Sequence, residues 1–187
     1  LRASGDYICF CDSDDFFNQG RLAYQLRVMQ EFNWTVSCTE VMHVAESDKT
    51  VKYAGNVYSN SMFNLNQAIL RQGLNISGLM IERRLCDGRF PKNWRGRYGE
   101  DWQFLLELLL QVREIPLLKT IGSYISVRDD SHTNDSIYHL MKLAILEFQI
   151  VNTPRFLKNG VPYYFLILGR VKLSLLYVFA CRISGKR

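Results

Sequence analysis

The chain has five cysteines but no CxxC pair and no cysteine–histidine spacing of the zinc-binding kind, so a zinc module is not expected. Cys9 and Cys11 would share one face of an extended segment, which suits buried thiols better than a disulfide. The odd cysteine count indicates a reducing compartment. Internal repeats and low-complexity segments are absent as well. With 187 residues, of which 48% are hydrophobic, the sequence is long enough to build one domain around a sizeable core.

Acidic residues are missing from residues 152–187, which hold seven lysines and arginines. The whole chain has 23 basic and 18 acidic residues, so residues 1–151 keep 16 basic against 18 acidic residues and carry −2. An acidic body argues against binding to nucleic acid, whose affinity for proteins comes largely from lysine and arginine. We therefore divide the chain into a body, residues 1–151, and a basic, apolar and helical tail, residues 152–187.

The tail also lacks an uninterrupted apolar run, because Arg170 and Lys172 lie within the apolar segment 163–183. Two central cations make insertion across a bilayer costly. Two alternatives stay open for this segment: an amphipathic helix on an anionic membrane surface, and a helix packed on the body. We expect a cytoplasmic protein, attached peripherally to the inner face of the cell membrane under the first alternative.

The most informative stretch is YICFCDSDDFF, residues 7–17, in which five mostly apolar residues run directly into Asp12, Asp14 and Asp15. The apolar run predicts a strand buried on both faces, as in a parallel sheet. Crowded carboxylates repel one another unless a cation lies among them, and aspartates at positions i and i+2 can hold a hard divalent cation that also binds a phosphate. The alternative without chemistry is a polar turn in which Asp15 caps the following helix.

A second acidic pair, Glu100 and Asp101, follows Gly99 and opens a segment with helical apolar spacing. The helix dipole favours carboxylates at this position, so simple capping is one explanation. Together with Asp12 and Asp14, the pair would instead supply what a metal-assisted group transfer needs. One carboxylate would neutralise a leaving diphosphate through the metal, and another would deprotonate the incoming nucleophile.

Residues 3–133 carry both motifs in order: ASGDYICFCDSDDFF, then Arg21, Leu22 and Gln25, and finally GEDW. In this arrangement the chain resembles glycosyltransferase family 2, the inverting GT-A enzymes. The resemblance implies an α/β fold, namely the Rossmann-like mixed sheet of GT-A nucleotide-diphospho-sugar transferases followed by C-terminal helices. It also implies that the N-terminal βαβ region that binds the base is absent, so that this chain would be an N-terminally truncated portion of a longer enzyme.

The same resemblance implies roles for the acidic residues. Asp12 would contact the nucleotide of the donor, Asp14 would ligate Mg2+ or Mn2+, and Asp101 would act as general base on the acceptor hydroxyl. Glu100 and Trp102, the neighbours of Asp101, would contact the acceptor. The product would be a glycosidic bond formed with inversion.

A polar loop after residue 127 corresponds to the family segment that closes over the donor diphosphate. Arg128 would contact the donor there, and His132 would contact the diphosphate or the metal, although the spacing of these two residues departs from the commonest family pattern. The expected partners are a nucleotide sugar, with a UDP-sugar preferred, and a glycan or lipid-linked acceptor. Surface glycan or lipopolysaccharide biosynthesis would be the setting.

Two alternatives come from other classes of protein. A haloacid-dehalogenase-like phosphatase also has an apolar strand ending in DxD, but it carries Thr or Val where this chain has Phe16, and its GDxxxD partner motif is missing. The other alternative is a non-catalytic module that binds membrane surfaces, in which the acidic motifs serve only as helix caps.

Apolar spacing predicts a helix over residues 18–33, capped by Asn18 and packed on the core through Leu22, Leu26, Met29 and Phe32. The other predicted elements are a strand over 34–44 beside the first strand, a helix over 63–71 with Asn64 near its start, a strand over 75–81, short strands over 113–119 and 121–127 separated near Gly122, and a helix over 133–151.

Overall fold

A computed structural model describes residues 3–45, 50–54, 61–65, 67–68, 74–87 and 100–127. The strands are β1 (Tyr7–Cys9), β2 (Phe16–Phe17), β3 (Val36–Ala45), β4 (Val51–Ala54), β5 (Met62–Asn64), β6 (Leu79–Glu82) and β7 (Glu114–Val127). The helices are α1 (Arg21–Glu31) and α2 (Glu100–Val112), with 3-10 turns at Ile76–Gly78 and Arg83–Asp87.

The chain divides into two units, residues 1–89 with 104–129 and residues 90–103 with 130–187. Nearly all the described residues belong to the first unit, and the second is described only at residues 100–103, the first turn of α2. The helix predicted over 133–151 and the tail lie outside the described residues. Within the part that is described, no helix is long and apolar enough to cross a membrane.

The first unit is built on a mixed sheet with the strand order β1-β6-β3-β7-β2. Strands β3 and β7 run parallel, while β6 is antiparallel to both β1 and β3. Strand β4 pairs with β3, and β5 pairs with the beginning of β7. The mixed α/β architecture predicted from the sequence is therefore confirmed.

The prediction that residues 34–44 lie beside the first strand was wrong. Strand β6 separates them, with Ile81 paired to Ile8 on one side and to Val36 on the other. The three apolar residues of β6, Leu79, Met80 and Ile81, are at most 2% exposed. A short strand buried on both faces belongs inside a sheet, so β6 takes the place expected for β3.

Strand β7 is one continuous strand, whereas the sequence predicted a break near Gly122. The glycine allows a close approach instead of ending the strand. A Cβ at Gly122 would lie 2.0 Å from Oγ1 of Thr39 on the neighbouring β3. The pairing of β3 with β7 shifts register on either side of Glu40, so the ladder is locally irregular next to this close approach.

Helix α1 begins at Arg21 and not at Asn18, because Gly20 has a left-handed backbone conformation with φ of 78°. Asn18 does not cap the helix through its side chain. Its backbone N–H donates to the carbonyl of Gly122 at 2.8 Å, and its Nδ2 donates to the carbonyl of Ile121 at 2.9 Å. Asn18 thus joins the beginning of α1 to β7.

The face of α1 that packs on the sheet also differs from the apolar face predicted. Its buried residues are Arg21, Gln25 and Met29, whereas Leu22 is 45% and Phe32 is 58% exposed. The sheet presents backbone carbonyls to this helix, and buried carbonyls need donors. Arg21 and Gln25, four residues apart, therefore pack on the sheet, where the apolar spacing predicted Leu22 and Leu26.

Asn64 begins a helical segment, as predicted. Its Oδ1 accepts from the backbone N–H of Gln67 at 3.1 Å, and its own N–H donates to Oε1 of Gln67 at 2.9 Å. This reciprocal pair has the geometry of a capping box. Phe63, predicted as helical, belongs instead to β5 and is fully buried.

Candidate functional site

The aspartates that follow β1 lie on a tight turn. The backbone N–H of Asp15 donates to the carbonyl of Asp12 at 3.1 Å, which closes the turn over Ser13 and Asp14. The side chains of Asp12 and Asp14 are exposed, whereas Asp15 is half-buried. The turn therefore presents two carboxylates to solvent and directs the third into the protein. We call residues 12–15 the aspartate turn.

Asp15 binds two elements that are distant in the sequence. Its Oδ2 accepts from the hydroxyl of Ser77 at 2.9 Å, and its Oδ1 accepts from the backbone N–H of Ser126 at 3.1 Å. The hydroxyl of Ser126 donates in turn to the backbone carbonyl of Asp14 at 2.6 Å. The aspartate turn is thus fixed to the 3-10 turn before β6 and to the end of β7. It is not a helix cap, so that alternative for Asp15 is wrong.

The electrostatics of the turn favour a cation. Burial raises the pKa of Asp15, hydrogen bonds from Ser126 and Ser77 oppose that rise, and the charges of Asp12 and Asp14 add to it. The neighbouring Cys11 thiol also has a raised pKa, from burial first and then from Asp15. Several negative charges therefore act on the same small region, and a bound cation would relieve their repulsion.

Beneath the turn lies a buried polar network centred on Arg21, which is only 4% exposed. Its Nη1 donates to the carbonyl of Ser77 and to the hydroxyl of Ser123, and its Nη2 donates to the carbonyl of Leu79 at 3.3 Å. The guanidinium also lies over the ring of Phe17, 4.2 Å from its centroid. Burial lowers the pKa of Arg21, yet a guanidinium stays charged at neutral pH.

Gln25 extends this network by one helical turn. Its Oε1 accepts from Nε of Arg21 at 3.1 Å, and its Nε2 donates to the carbonyls of Ser37 and Gly78, each at 3.2 Å. Nε2 also lies 3.1 Å from the hydroxyl of Ser37. The network therefore joins α1, β3, β6 and β7 through side chains that are completely or almost completely buried.

Arg21 and Gln25 belong to the family motif, but the sequence predicted no structural role for them. Their i, i+4 spacing was the available signal, because it places both on one helix face. Ser77 gave no signal at all. It matters because its carbonyl accepts from Arg21 while its hydroxyl donates to Asp15, which connects the network to the aspartate turn.

The second acidic motif lies at the start of α2, as predicted. The helix begins at Glu100, and Asp101 in its first turn is exposed. The side chains of Glu100 and Trp102 lie outside the described residues. Asp101 belongs to the second unit, so its convergence with Asp14 on one reacting centre stays a prediction, as do the acceptor contacts of its two neighbours.

Arg128 and His132 also lie outside the described residues, and their contacts stay predictions. Within the described ranges, no group of three or more His, Cys, Asp or Glu side chains is arranged to hold a metal ion. The aspartate turn offers a smaller set, the exposed carboxylate of Asp14 as the predicted metal ligand beside that of Asp12 as the predicted nucleotide contact. Such a set fits Mg2+, which usually takes one or two protein carboxylates and completes its octahedron with water and phosphate oxygens.

Comparisons with known proteins agree with the resemblance seen in the sequence. The family model described as "Glycosyl transferase family 2" matches residues 1–86. A curated protein described as "Uncharacterized glycosyltransferase" from Rickettsia bellii (strain RML369-C) is 36% identical over 63 residues. That match covers 30% of this chain and 9% of the Rickettsia protein.

Solved structures of S. aureus TarS, residues 1–349, resemble this chain in fold. The crystal structure of TarS 1–349 that names no ligand has a TM-score of 0.56 at 16% identity, and the match covers 92% of this chain. The complex with UDP-GlcNAc has a TM-score of 0.54 at 17% identity and covers 82%. This chain spans less than half the length of each, 48% and 45% respectively. At these identities the likeness shows a shared fold, the GT-A glycosyltransferase fold.

Proposed function

We propose that this chain, whose residues 1–86 match the model of glycosyltransferase family 2, is a member of that family and transfers a sugar from a nucleotide-diphosphate donor to an acceptor hydroxyl with inversion. The observation that supports this function best is the aspartate turn. Asp12 and Asp14 are exposed beyond the end of β1, and Asp15 and Ser126 fix the turn that carries them. The family match favours a transferase over the phosphatase alternative.

In this proposal Asp14 binds a divalent cation, Mg2+ or Mn2+, and Asp12 binds the nucleotide. The cation would neutralise charge on the departing diphosphate. Arg128 is assigned to the donor and His132 to the metal. A guanidinium suits a diphosphate because its N–H groups form paired, charge-assisted hydrogen bonds with phosphate oxygens.

Asp101 is the proposed general base. Its carboxylate would take the proton of the acceptor hydroxyl while that oxygen attacks the anomeric carbon, and the bond to the diphosphate breaks on the opposite face. Glu100 and Trp102 are the proposed acceptor contacts. The exposure of Asp101 at the first turn of α2 supports this role, because a base must be accessible to the hydroxyl that it deprotonates.

We propose a UDP-sugar as donor, because one of the TarS structures of the same fold contains UDP-GlcNAc. The proposed acceptor is a glycan or a lipid-linked glycan of surface or lipopolysaccharide biosynthesis. An anionic membrane surface would then hold the basic tail, residues 152–187, and place the protein on the inner face of the cell membrane.

Calorimetric titration of the complete gene product with UDP, with Mn2+ or with EDTA present, tests the nucleotide and metal assignments. UDP should bind only with the metal, and Asp14→Asn should abolish that binding. Glu31→Gln is the control, because Glu31 is an exposed carboxylate at the end of α1. Equal binding of UDP with Mn2+ and with EDTA would contradict the proposal.

Sugar transfer by the complete gene product tests the base. Asp101→Asn should abolish transfer from the donor while metal-dependent binding of UDP survives, because the amide cannot accept the proton but leaves the aspartate turn unchanged. Loss of UDP binding together with transfer would count against Asp101 as the base.

A further inference from the structure

The aspartates of the aspartate turn differ in their surroundings, and Asp15 is the one that is hydrogen-bonded to Ser77 and Ser126. Both carboxylate oxygens of Asp15 already accept a hydrogen bond from the protein, one from Ser77 and one from Ser126. The side chains of Asp12 and Asp14 are exposed to solvent. The third aspartate of the motif is therefore held by the protein through both of its carboxylate oxygens.

Ser126 contacts the turn twice. Its N–H donates to the carboxylate of Asp15, and its hydroxyl donates to the backbone carbonyl of Asp14, the residue assigned to the metal. These two bonds attach consecutive residues of the turn to one residue of β7. Strand β7 is 14 residues long and pairs with β3 along most of its length, so Ser126 belongs to a stiff element.

Ser77 supplies the second attachment, from a position with equally little freedom. Its side chain is 1% exposed, and its carbonyl accepts from the buried guanidinium of Arg21 and from the hydroxyl of Ser123. A hydroxyl held in this way donates to Asp15 from a fixed point. Residues that orient the ligands of a metal commonly change its affinity 10- to 100-fold without touching it.

We propose that Asp15 and Ser126 are positioning residues, which hold the carboxylate of Asp14 for a divalent cation and the diphosphate of a donor but contact neither themselves. This inference rests on the proposed function. It adds that the affinity for metal and nucleotide depends on the two bonds made by Ser126 and on the shape of Asp15, and not on the charge of Asp15.

The experiment measures the dissociation constant of UDP in the presence of Mn2+, and the free energy of unfolding in urea, for a set of variants of the complete gene product. Ser126→Ala removes the bond to the Asp14 carbonyl and keeps the N–H to Asp15. Asp15→Ala removes both attachments of the carboxylate. Each should weaken UDP–Mn2+ binding by about 10- to 100-fold, as expected for residues that orient metal ligands.

Asp15→Asn is the decisive variant. Its Oδ1 can still accept from the N–H of Ser126, and its Nδ2 can donate to the hydroxyl oxygen of Ser77, which reverses the direction of that bond and keeps the shape of the turn. Its dissociation constant should stay close to the wild-type value. If Asp15→Asn loses as much affinity as Asp15→Ala, Asp15 acts through its charge as a metal ligand, and the inference is wrong.

Ser37→Ala is the matched control for stability. The Ser37 hydroxyl is fully buried in the same polar network, where it contacts Gln25 and not the aspartate turn. It should lower the free energy of unfolding and leave the UDP–Mn2+ dissociation constant unchanged. If Ser126→Ala binds UDP–Mn2+ with the wild-type dissociation constant while Asp14→Asn does not bind it, the inference is overturned but the proposed function is not. Failure of the wild type to bind UDP–Mn2+ would overturn both.

Discussion

Removing the guanidinium of Arg21 should destabilise the protein far more than removing an exposed guanidinium from the same helix. Arg21→Met keeps most of the length of the side chain and deletes four hydrogen bonds, which end on Gln25, Ser123 and two backbone carbonyls. Hydrogen bonds to charged groups contribute about 1.5–3 kcal/mol each, but the variant also recovers the cost of burying a charge. We expect a net loss of about 3 kcal/mol, because each buried neutral acceptor left without a donor costs about 1–3 kcal/mol and the recovered desolvation offsets part of that cost.

The assay is urea unfolding followed by far-ultraviolet circular dichroism, with the free energy of unfolding extrapolated to water. Arg27→Met is the matched control on the same helix. Arg27 is exposed, and its guanidinium lies 5.9 Å from the ring centroid of Tyr24, so its loss should cost less than about 1 kcal/mol. Arg21→Lys should fall between the two, because an ammonium group cannot reach four acceptors in the planar geometry of a guanidinium.

An Arg21→Met variant as stable as Arg27→Met would refute this reasoning. It would mean that the desolvation of Arg21 cancels the hydrogen bonds that it makes. The slope of the urea transition must stay the same in the variants, since a changed slope would report an altered unfolded state and not the loss of these bonds.

Three further predictions concern packing and pH. Gly122→Ala should lower the free energy of unfolding by several kcal/mol, because its Cβ would lie 2.0 Å from Oγ1 and 2.6 Å from Cβ of Thr39. Gly20→Ala should lower it by only about 1–2 kcal/mol, since a Cβ there meets no atom within 4 Å and the cost comes from the positive φ alone. Thermal unfolding of the two variants compares these losses. Met29→Ala, at a position that is 0% exposed, should lose about 2–5 kcal/mol in urea unfolding, while Leu22→Ala at a 45% exposed position should be nearly neutral; equal losses would contradict the observed helix face. Burial lowers the pKa of His43, so the unfolded chain binds a proton at this residue more readily than the folded protein does. The free energy of unfolding should therefore fall as the pH drops below about 6.5 towards the folded pKa. His43→Gln should reduce the difference between the urea midpoints measured at pH 7.5 and pH 5.

The acidic motifs could be predicted because each is local. An apolar run followed by aspartates specifies a strand and the turn after it, and a glycine followed by Glu100 and Asp101 specifies a helix start. Both features appear where the sequence placed them, but the prediction of a strand buried on both faces as in a parallel sheet was wrong. Strand β1 ends at Cys9, only Ile8 in it is buried, and it pairs antiparallel with β6 at the end of the described strand order. The convergence of the two motifs is a property of the tertiary structure, which depends on how distant segments pack, so it stays a prediction.

Strand order and the buried face of α1 could not be predicted, and for related reasons. Periodicity shows that Leu79–Ile81 is apolar but does not show which strands it pairs with. It also gives no reason to bury Arg21 and Gln25, because a side chain that can form several hydrogen bonds is usually exposed. Their burial depends on carbonyls and hydroxyls from residues 37, 77–79 and 123, which the helical pattern cannot show.

The buried network and the aspartate turn are physically continuous, and this changes what a loss of activity would mean. Arg21 binds the carbonyl of Ser77, the hydroxyl of Ser77 binds Asp15, and Asp15 binds the N–H of Ser126. A substitution at Arg21 would therefore displace Asp14 through this chain of hydrogen bonds, although Arg21 is not proposed to contact a substrate. An inactive Arg21 variant would not identify a catalytic residue. Only a comparison with Ser37→Ala, which perturbs the same network away from the turn, separates lost stability from lost positioning of the metal-binding carboxylate.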